Sequence, residues 1–147
     1  NVLSMLKSFL SDKGFLRTQA IMNNEYYLKE LDPNMIHRIP ENHFIAFYGT
    51  PAKDSVWGWK FSGHHIALNF TVVNNQLAFT PVFFGVYPAE IKEGKNKGRR
   101  IIKDEEDLGF ELINMLTAEQ KLKAIFQSKA FTDIVNIGIG GSKYTLT

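Results

Sequence analysis

The spacing of apolar residues predicts helices near the start of the chain and a strand after them. Apolar side chains recur at helical spacing over residues 2–12 and 16–31. Gly14 is predicted to end the first helix, and Asp32-Pro33 the second. The short apolar run His43 to Tyr48 is typical of a strand. The first third of the chain therefore predicts two helices that lead into a sheet.

The stretch WGWKFSGHHIALNFTVV, residues 57–73, has a strand-like alternation that changes phase in its middle. Bulky apolar residues hold odd positions up to Phe61 and even positions from Ile66 onward. One long strand with a β-bulge at Gly63 would restore a single apolar face. On such a strand His64 and His65 point to opposite faces. We therefore expect His64 to be buried and hydrogen-bonded, and His65 to lie on the more polar face.

A turn signal follows this stretch. Asn tolerates the positive φ angles of a two-residue hairpin turn, so Asn74-Asn75 predicts a hairpin with a returning strand over 77–87. The resulting register places Phe70 opposite Phe79 in the core, and it places His65 opposite Phe84. Asn69 is expected opposite Thr80 by the same count. The middle of the chain thus predicts a central antiparallel, hairpin-based sheet.

Two further helices are predicted after a polar loop at 88–98. The acids at 104–107 suit a helix N-terminus, where they face unpaired N–H groups and the positive end of the dipole. Thr117 and Gln120 have the spacing of a capping box. We expect helices over 104–116 and 118–127 that pack on the sheet. The predicted fold class is therefore α+β.

Composition narrows the classes of protein. Seventeen Lys and Arg against 15 Asp and Glu give a net charge of +2, too balanced for a nucleic-acid binder. The chain has no cysteine, so disulfides and thiolate catalysis are excluded. For the same reason, cysteine usage gives no indication of the cellular compartment. No apolar run is long enough to span a membrane. We expect a single soluble domain of 147 residues, and a start at Asn1 suggests a processed product or fragment of a longer protein.

The paired histidines are the main candidates for chemistry. His65 and Asn69 share the polar face of the predicted strand, so they are the candidate catalytic residues. His64 and His65 are candidate ligands for a divalent transition metal, although neighbours on a strand point apart. Further ligands would have to come from elsewhere, such as His37, His43 or the acids at 104–107. The alternative is a structural role, with one histidine in the core and the other partly exposed.

Three other side chains are candidates for ligand binding. Trp57 and Trp59 could stack on a sugar, an aromatic ligand, a partner or a second copy of the chain, or they could belong to the core. Arg99 could hold a small anionic ligand, or it could lie in a solvated basic loop. These residues favour a non-catalytic binding or oligomerisation domain as the alternative to an enzyme.

Several blocks of the sequence resemble a family. WGWKFSGHHIALNFTVV, TPVFFGVYPAEI, GRRIIKDEEDLG and TAEQKLKAIF look like the bacterial family of unknown function numbered 3500. The resemblance covers about residues 1–130. It implies no established reaction, so a metal-dependent, hydrolase-like site on the Gly-His-His hairpin remains a hypothesis. The resemblance implies a longer protein with further histidines in a C-terminal part, so we expect this sequence to be a partial member of the family.

The tail carries a shorter resemblance. FTDIVNIGIGGS, residues 131–142, looks like the sugar-phosphate loop of phosphoglucose isomerases. In that loop a Gly-rich turn opens a helix whose N–H groups bind phosphate. Since only Lys143 to Thr147 follow this stretch in the sequence, we do not expect that helix here.

Overall fold

A computed structural model describes residues 1–129 and confirms the α+β fold. The chain forms two compact units, Asn1–Lys103 and the part from Asp104 onward. In chain order, helices precede and follow a four-stranded antiparallel sheet, whose strand order is β1-β2-β3-β4. In chain order the elements are α1 (Val2–Phe9), α2 (Asp12–Leu31), β1 (His43–Tyr48), β2 (Val56–Gly63), β3 (Ile66–Val73), β4 (Gln76–Phe84), α3 (Lys103–Met115) and α4 (Ala118–Ala124).

The break between the first two helices lies earlier than the sequence predicts. Leu10 leaves the helical region, with φ −110° and ψ 153°, and Ser11 caps α2 by accepting a hydrogen bond from the Gly14 N–H. Gly14 therefore lies in the first turn of α2, and its prediction as the end of α1 was wrong. A serine cap satisfies an otherwise unpaired N–H at the start of a helix. This start signal outweighs the stop signal of a single glycine. The end of α2 before Asp32 is confirmed.

The predicted single strand over 57–73 is two strands joined by a tight turn. Gly63 pairs with Ile66, so His64 and His65 form a two-residue hairpin turn, and the β-bulge predicted at Gly63 was wrong. In this register Trp59 lies opposite Phe70. Directly opposite residues of an antiparallel pair share a face. Odd positions on β2 and even positions on β3 therefore form one apolar face, which explains the change of phase.

The second hairpin is confirmed at its turn and altered further along. Val73 pairs with Gln76 across Asn74-Asn75, and Phe70 lies opposite Phe79 as predicted. Beyond that point the register shifts by one residue, because two residues of β4 stand opposite Asn69. The two residues are Thr80 and Pro81, and a proline, which cannot donate to the ladder, is typical of such an irregularity. Phe84 therefore pairs with Ile66 instead of lying opposite His65.

The core of the first unit lies between the two N-terminal helices and one face of the sheet. Its buried members are Leu6, Ile21, Trp59, Phe61, Ile66, Leu68 and Phe70. The Trp59 and Phe70 rings stack across β2 and β3, with centroids 4.2 Å apart, and Phe9 of α1 meets Trp59 edge-on at 5.1 Å. Burying each of these large side chains stabilises the fold by about 1.5–3 kcal/mol. The aromatic residues thus join α1 to the sheet.

The second unit confirms the predicted helix starts. Asp104, Glu105 and Glu106 lie in the first turn of α3. Thr117 and Gln120 form the predicted capping box, with the Thr117 N–H donating to Gln120 Oε1 at 2.9 Å and the Gln120 N–H donating to Thr117 Oγ1 at 3.2 Å. Across residues 1–129 no helix has the length and apolar character needed to span a membrane. The packing of α3 and α4 on the sheet stays a prediction.

Candidate functional site

The two histidines lie side by side in the turn between β2 and β3. Their rings stack with centroids 3.9 Å apart and an interplanar angle of 25°. The prediction that they point to opposite faces was therefore wrong, because the alternation of a strand does not continue through a turn. His65 adopts φ +60°, in the left-handed region that histidine enters more readily than most residues. The turn thus presents two imidazoles together.

A buried carboxylate from α2 holds the first of these rings. His64 Nδ1 donates a hydrogen bond to Glu25 Oε1 at 2.5 Å. The Glu25 side chain is 5% exposed, whereas that of His64 is 33% exposed. Hence His64 is hydrogen-bonded, as predicted, but it is only half-buried. Because a carboxylate oxygen accepts, Nδ1 carries the hydrogen that points to Glu25, and Nε2 is the ring nitrogen left for another partner.

Arg38 supplies a second partner for the same carboxylate. Its Nη1 lies 3.4 Å from Glu25 Oε2, and its side chain is 19% exposed. A buried carboxylate is costly unless it is paired and hydrogen-bonded. Glu25 meets this condition with one partner on each oxygen, Arg38 from the segment before β1 and His64 from the turn after β2.

A third histidine, His43, lies opposite Gly63, next to the turn of the same hairpin. His43 Nδ1 donates to the Pro40 carbonyl at 2.9 Å, and the ring stacks on Phe61 with centroids 5.4 Å apart. A Cβ on Gly63 would lie 2.4 Å from His43 Cδ2, so only glycine admits the ring here. His43 Nε2 is buried and has no hydrogen-bond partner in the described part of the chain.

Burial affects the protonation of two of these rings. Desolvation lowers the pKa of His43, although its hydrogen bond to the Pro40 carbonyl opposes the shift. Desolvation also lowers the pKa of His65, and the neighbouring His64 acts in the same direction. Both rings therefore favour the neutral form near pH 7, which is the form that can accept a proton or bind a metal ion.

The residues described do not assemble a metal centre. Within residues 1–129 no group of three His, Asp or Glu side chains is placed to hold an ion. Of the further ligands considered, His37 is exposed before β1, and His43 has its Nδ1 engaged with Pro40. The metal-binding role of His64 and His65 stays a prediction.

Asn69 lies at the shifted register between β3 and β4. Its Nδ2 donates to the Pro81 carbonyl at 2.8 Å. Asn69 therefore braces the irregularity at Pro81, and its predicted catalytic role stays a prediction.

The two tryptophans differ in their surroundings. Trp59 is 1% exposed in the core, whereas Trp57 is half-buried and meets Phe9 edge-on at 6.3 Å. A shallow cavity of about 330 Å³ is lined by Tyr48, Trp57 and Thr71, among others. The predicted ligand-binding roles of the tryptophans stay predictions.

Arg99 lines a different and larger cavity of about 700 Å³, between α2 and the segment after β4. Its predicted anion-binding role stays a prediction.

Glu25 and Arg38 were not predicted from the sequence as members of the site. One signal was available, because Thr18, Ile21, Glu25 and Leu28 recur at helical spacing and all are buried. A glutamate on the buried stripe of a helix requires a partner, and that requirement points to a polar cluster. Arg38 carried no such signal, since it lies in an irregular segment whose path depends on the tertiary structure.

The fold and site together define an α+β fold in which His64 and Arg38 meet on the buried carboxylate of Glu25, beside the turn of the central hairpin. A family model described as protein of unknown function (DUF3500) matches residues 1–141, so the chain belongs to that family. No curated protein and no solved structure matches the chain significantly. The family resemblance is thus confirmed, while a bacterial origin stays a prediction. The isomerase-like loop at 131–142 lies outside the described residues.

Proposed function

We propose that the Gly-His-His hairpin carries a proton-transfer site of the hydrolytic type. The observation that supports it is the hydrogen bond from His64 Nδ1 to the buried carboxylate of Glu25. A carboxylate that orients an imidazole and fixes its tautomer is a common arrangement for general acid–base catalysis. His64 remains 33% exposed, so solvent reaches the ring.

In this proposal His64 is the base and Glu25 is a positioning residue. His64 Nε2 takes a proton from a water molecule as the water oxygen forms its bond to the substrate carbonyl carbon. The imidazolium then gives the proton to the leaving oxygen or nitrogen as the bond between that atom and the carbonyl carbon breaks. Glu25 stabilises the imidazolium, and Arg38 balances the carboxylate charge when the ring is neutral.

His65 has a supporting role in the proposal. Its ring stacks on His64, and burial keeps it neutral near pH 7. A neutral neighbour adds no charge repulsion when His64 takes a proton. If a divalent ion takes part, these two imidazoles are the ligands that we expect to bind it.

The proposal is tested with hydrolysis of a panel of p-nitrophenyl esters at pH 7.5. We expect His64→Ala and Glu25→Gln each to lower kcat/KM by roughly 100-fold or more, the usual share of general acid–base catalysis. His37→Ala is the matched control, because His37 is an exposed histidine outside the cluster. If His37→Ala lowers the rate equally, the activity is a background reaction of surface imidazoles.

A second measurement does not depend on the substrate. Long-range ¹H–¹⁵N NMR should show His64 with its proton on Nδ1, and Glu25→Gln should change the His64 nitrogen shifts while leaving His37 unchanged. A His64 ring that exchanges freely between tautomers would refute the assigned role. Titration with Zn²⁺ or Mn²⁺ while these signals are followed tests the metal-dependent form of the proposal.

A non-catalytic role is the second candidate, supported by the first strand. β1 is an edge strand, and it exposes Phe44, Phe47 and Tyr48 at 65%, 50% and 60%. Unpaired edges with apolar side chains are typical association surfaces. If the chain self-associates through β1 and the adjacent Trp57, light scattering should show an oligomer that Phe44→Lys dissociates. A monomer at all concentrations would remove this candidate.

A further inference from the structure

We infer that the cavity between α2 and the segment 91–101 binds a small organic anion that also carries hydroxyl groups. This site is separate from the histidine turn, and the inference does not depend on the proposed proton-transfer function. The cavity has a volume of about 700 Å³, within the range of small-molecule sites of roughly 300–1,000 Å³.

The wall of this cavity that follows β4 is held in place by its own backbone. Ile91 is 2% exposed, and its N–H donates to the Arg99 carbonyl at 3.0 Å. The Gly98 N–H donates back to the Ile91 carbonyl at 2.7 Å. Gly98 has φ +85°, a conformation that glycine adopts without strain. These bonds close the loop at its base and fix the backbone from which the Arg99 side chain extends.

The charges that line the cavity favour an anion. Lys29, Lys95 and Arg99 contribute three cations, against two acids, Glu30 and Glu93. The Arg99 guanidinium makes no ion pair with any residue between 1 and 129. Its planar set of donors matches a carboxylate or a phosphate. An unpaired arginine in a concave wall is therefore the anchor that we assign to the ligand.

A buried amide indicates the rest of the ligand. Asn24 is 6% exposed and lines the same cavity, and its Nδ2 donates to the Tyr87 carbonyl at 2.7 Å. Its Oδ1 is buried and has no hydrogen-bond partner among the described residues. An unsatisfied buried acceptor is costly, so a ligand hydroxyl that reaches it through a small local shift and donates to it gains affinity. The ligand class is therefore a polyhydroxylated anion, either a sugar acid or a sugar-alcohol phosphate.

The inference is tested with three matched probes on the ¹⁵N-labelled chain. Gluconate and sorbitol 6-phosphate present the same polyol with a carboxylate or a phosphate, and sorbitol has no charge. We expect one of the two anions to shift the amide signals of 91–99 and of α2 around Asn24, and sorbitol to bind at least tenfold more weakly. The better anion then identifies carboxylate or phosphate as the recognised group.

Two variants distinguish a site from general charge attraction. Arg99→Gln should weaken the better anion at least tenfold. Lys97→Gln is the control, because Lys97 is an exposed cation of the same loop that does not line the cavity. Equal losses in the two variants, equal binding of sorbitol, or unchanged amide signals with both anions at 20-fold excess over ~1 mM protein would each overturn the inference.

Discussion

Strand β3 has a two-residue turn at each end, and the two turns are built in different ways. Asn74 and Asn75 adopt φ +49° and +63°, angles that asparagine tolerates, and both residues are exposed. The backbone preference of the two residues is enough to form that turn. At the other end His65 adopts φ +60°, where asparagine or glycine would be more usual.

The histidine turn has side-chain contacts that the asparagine turn lacks. Within residues 1–129 the asparagine turn is tied only through its backbone, with the Asn74 N–H donating to the Ser55 carbonyl at 2.7 Å. The histidine turn is bound to α2 through Glu25. A less suitable residue that is held by buried polar contacts is a frequent mark of a functional position. The comparison therefore separates a turn made by local preference from one held by the tertiary structure.

The largest effect is expected from removing the charge that holds the histidine turn. Glu25→Gln should lower the free energy of unfolding by about 2–3 kcal/mol, because Arg38 and His64 lose their common carboxylate. Glu30→Gln, an exposed change on the same helix, should cost under about 0.5 kcal/mol. Chemical denaturation measures both. Equal values would show that the cluster contributes no more than a surface acid.

A somewhat smaller effect is expected at the glycine that precedes the histidine turn. Gly63→Ala brings a Cβ to 2.4 Å from His43 Cδ2, so the ring has to leave its stack on Phe61. Overpacking of this kind costs about 1–3 kcal/mol. His43→Ala in the same background should recover part of the loss, which a double-mutant cycle measures. Without such recovery, the clash with His43 is not the cause.

Glycine substitutions compare the two turns directly. Asn75→Gly should change the free energy of unfolding by less than about 0.5 kcal/mol, because asparagine and glycine both accept φ +63°. His65→Gly relieves the left-handed backbone but removes a ring that stacks on His64, so we expect a net loss of about 1 kcal/mol. Thermal and urea unfolding of both variants measures the difference. A His65→Gly variant more stable than the parent would show that the backbone strain at His65 exceeds the packing of its ring.

The smallest expected effect is a pH dependence that arises from His43 and His65. The folded-state pKa values of His43 and His65 lie below 6.5, so the unfolded chain binds more protons than the folded chain just below that pH. Their contribution is complete above pH 6.5 and is lost as the pH falls through 6.5 toward the lower folded-state pKa values. The melting temperature should therefore fall between pH 7.5 and 5.5, and His65→Gln should reduce that fall. His37→Gln is the control, and a parent whose melting temperature rises on acidification would contradict the sign.

Local patterns were sufficient to predict much of the fold. The bounds of β1, the Asn74-Asn75 turn and the capping box at Thr117 all depend on residues close together in the chain. The change of apolar phase at Gly63 was also visible in the sequence. It was assigned to a bulge because glycine is the residue that most easily allows one, whereas a hairpin explains the same change.

Only the tertiary structure decided the composition of the site. Glu25 lies 39 residues from His64 in sequence, and the irregular segment after α2 brings Arg38 to the same carboxylate. The shifted register at Asn69, which moves Phe84 to the core face, likewise depends on how β4 meets β3. Local residue preferences determined the Asn74-Asn75 turn and the capping box at Thr117, because they act over a few bonds. The grouping of buried charges depends on contacts between distant segments, which no local pattern encodes.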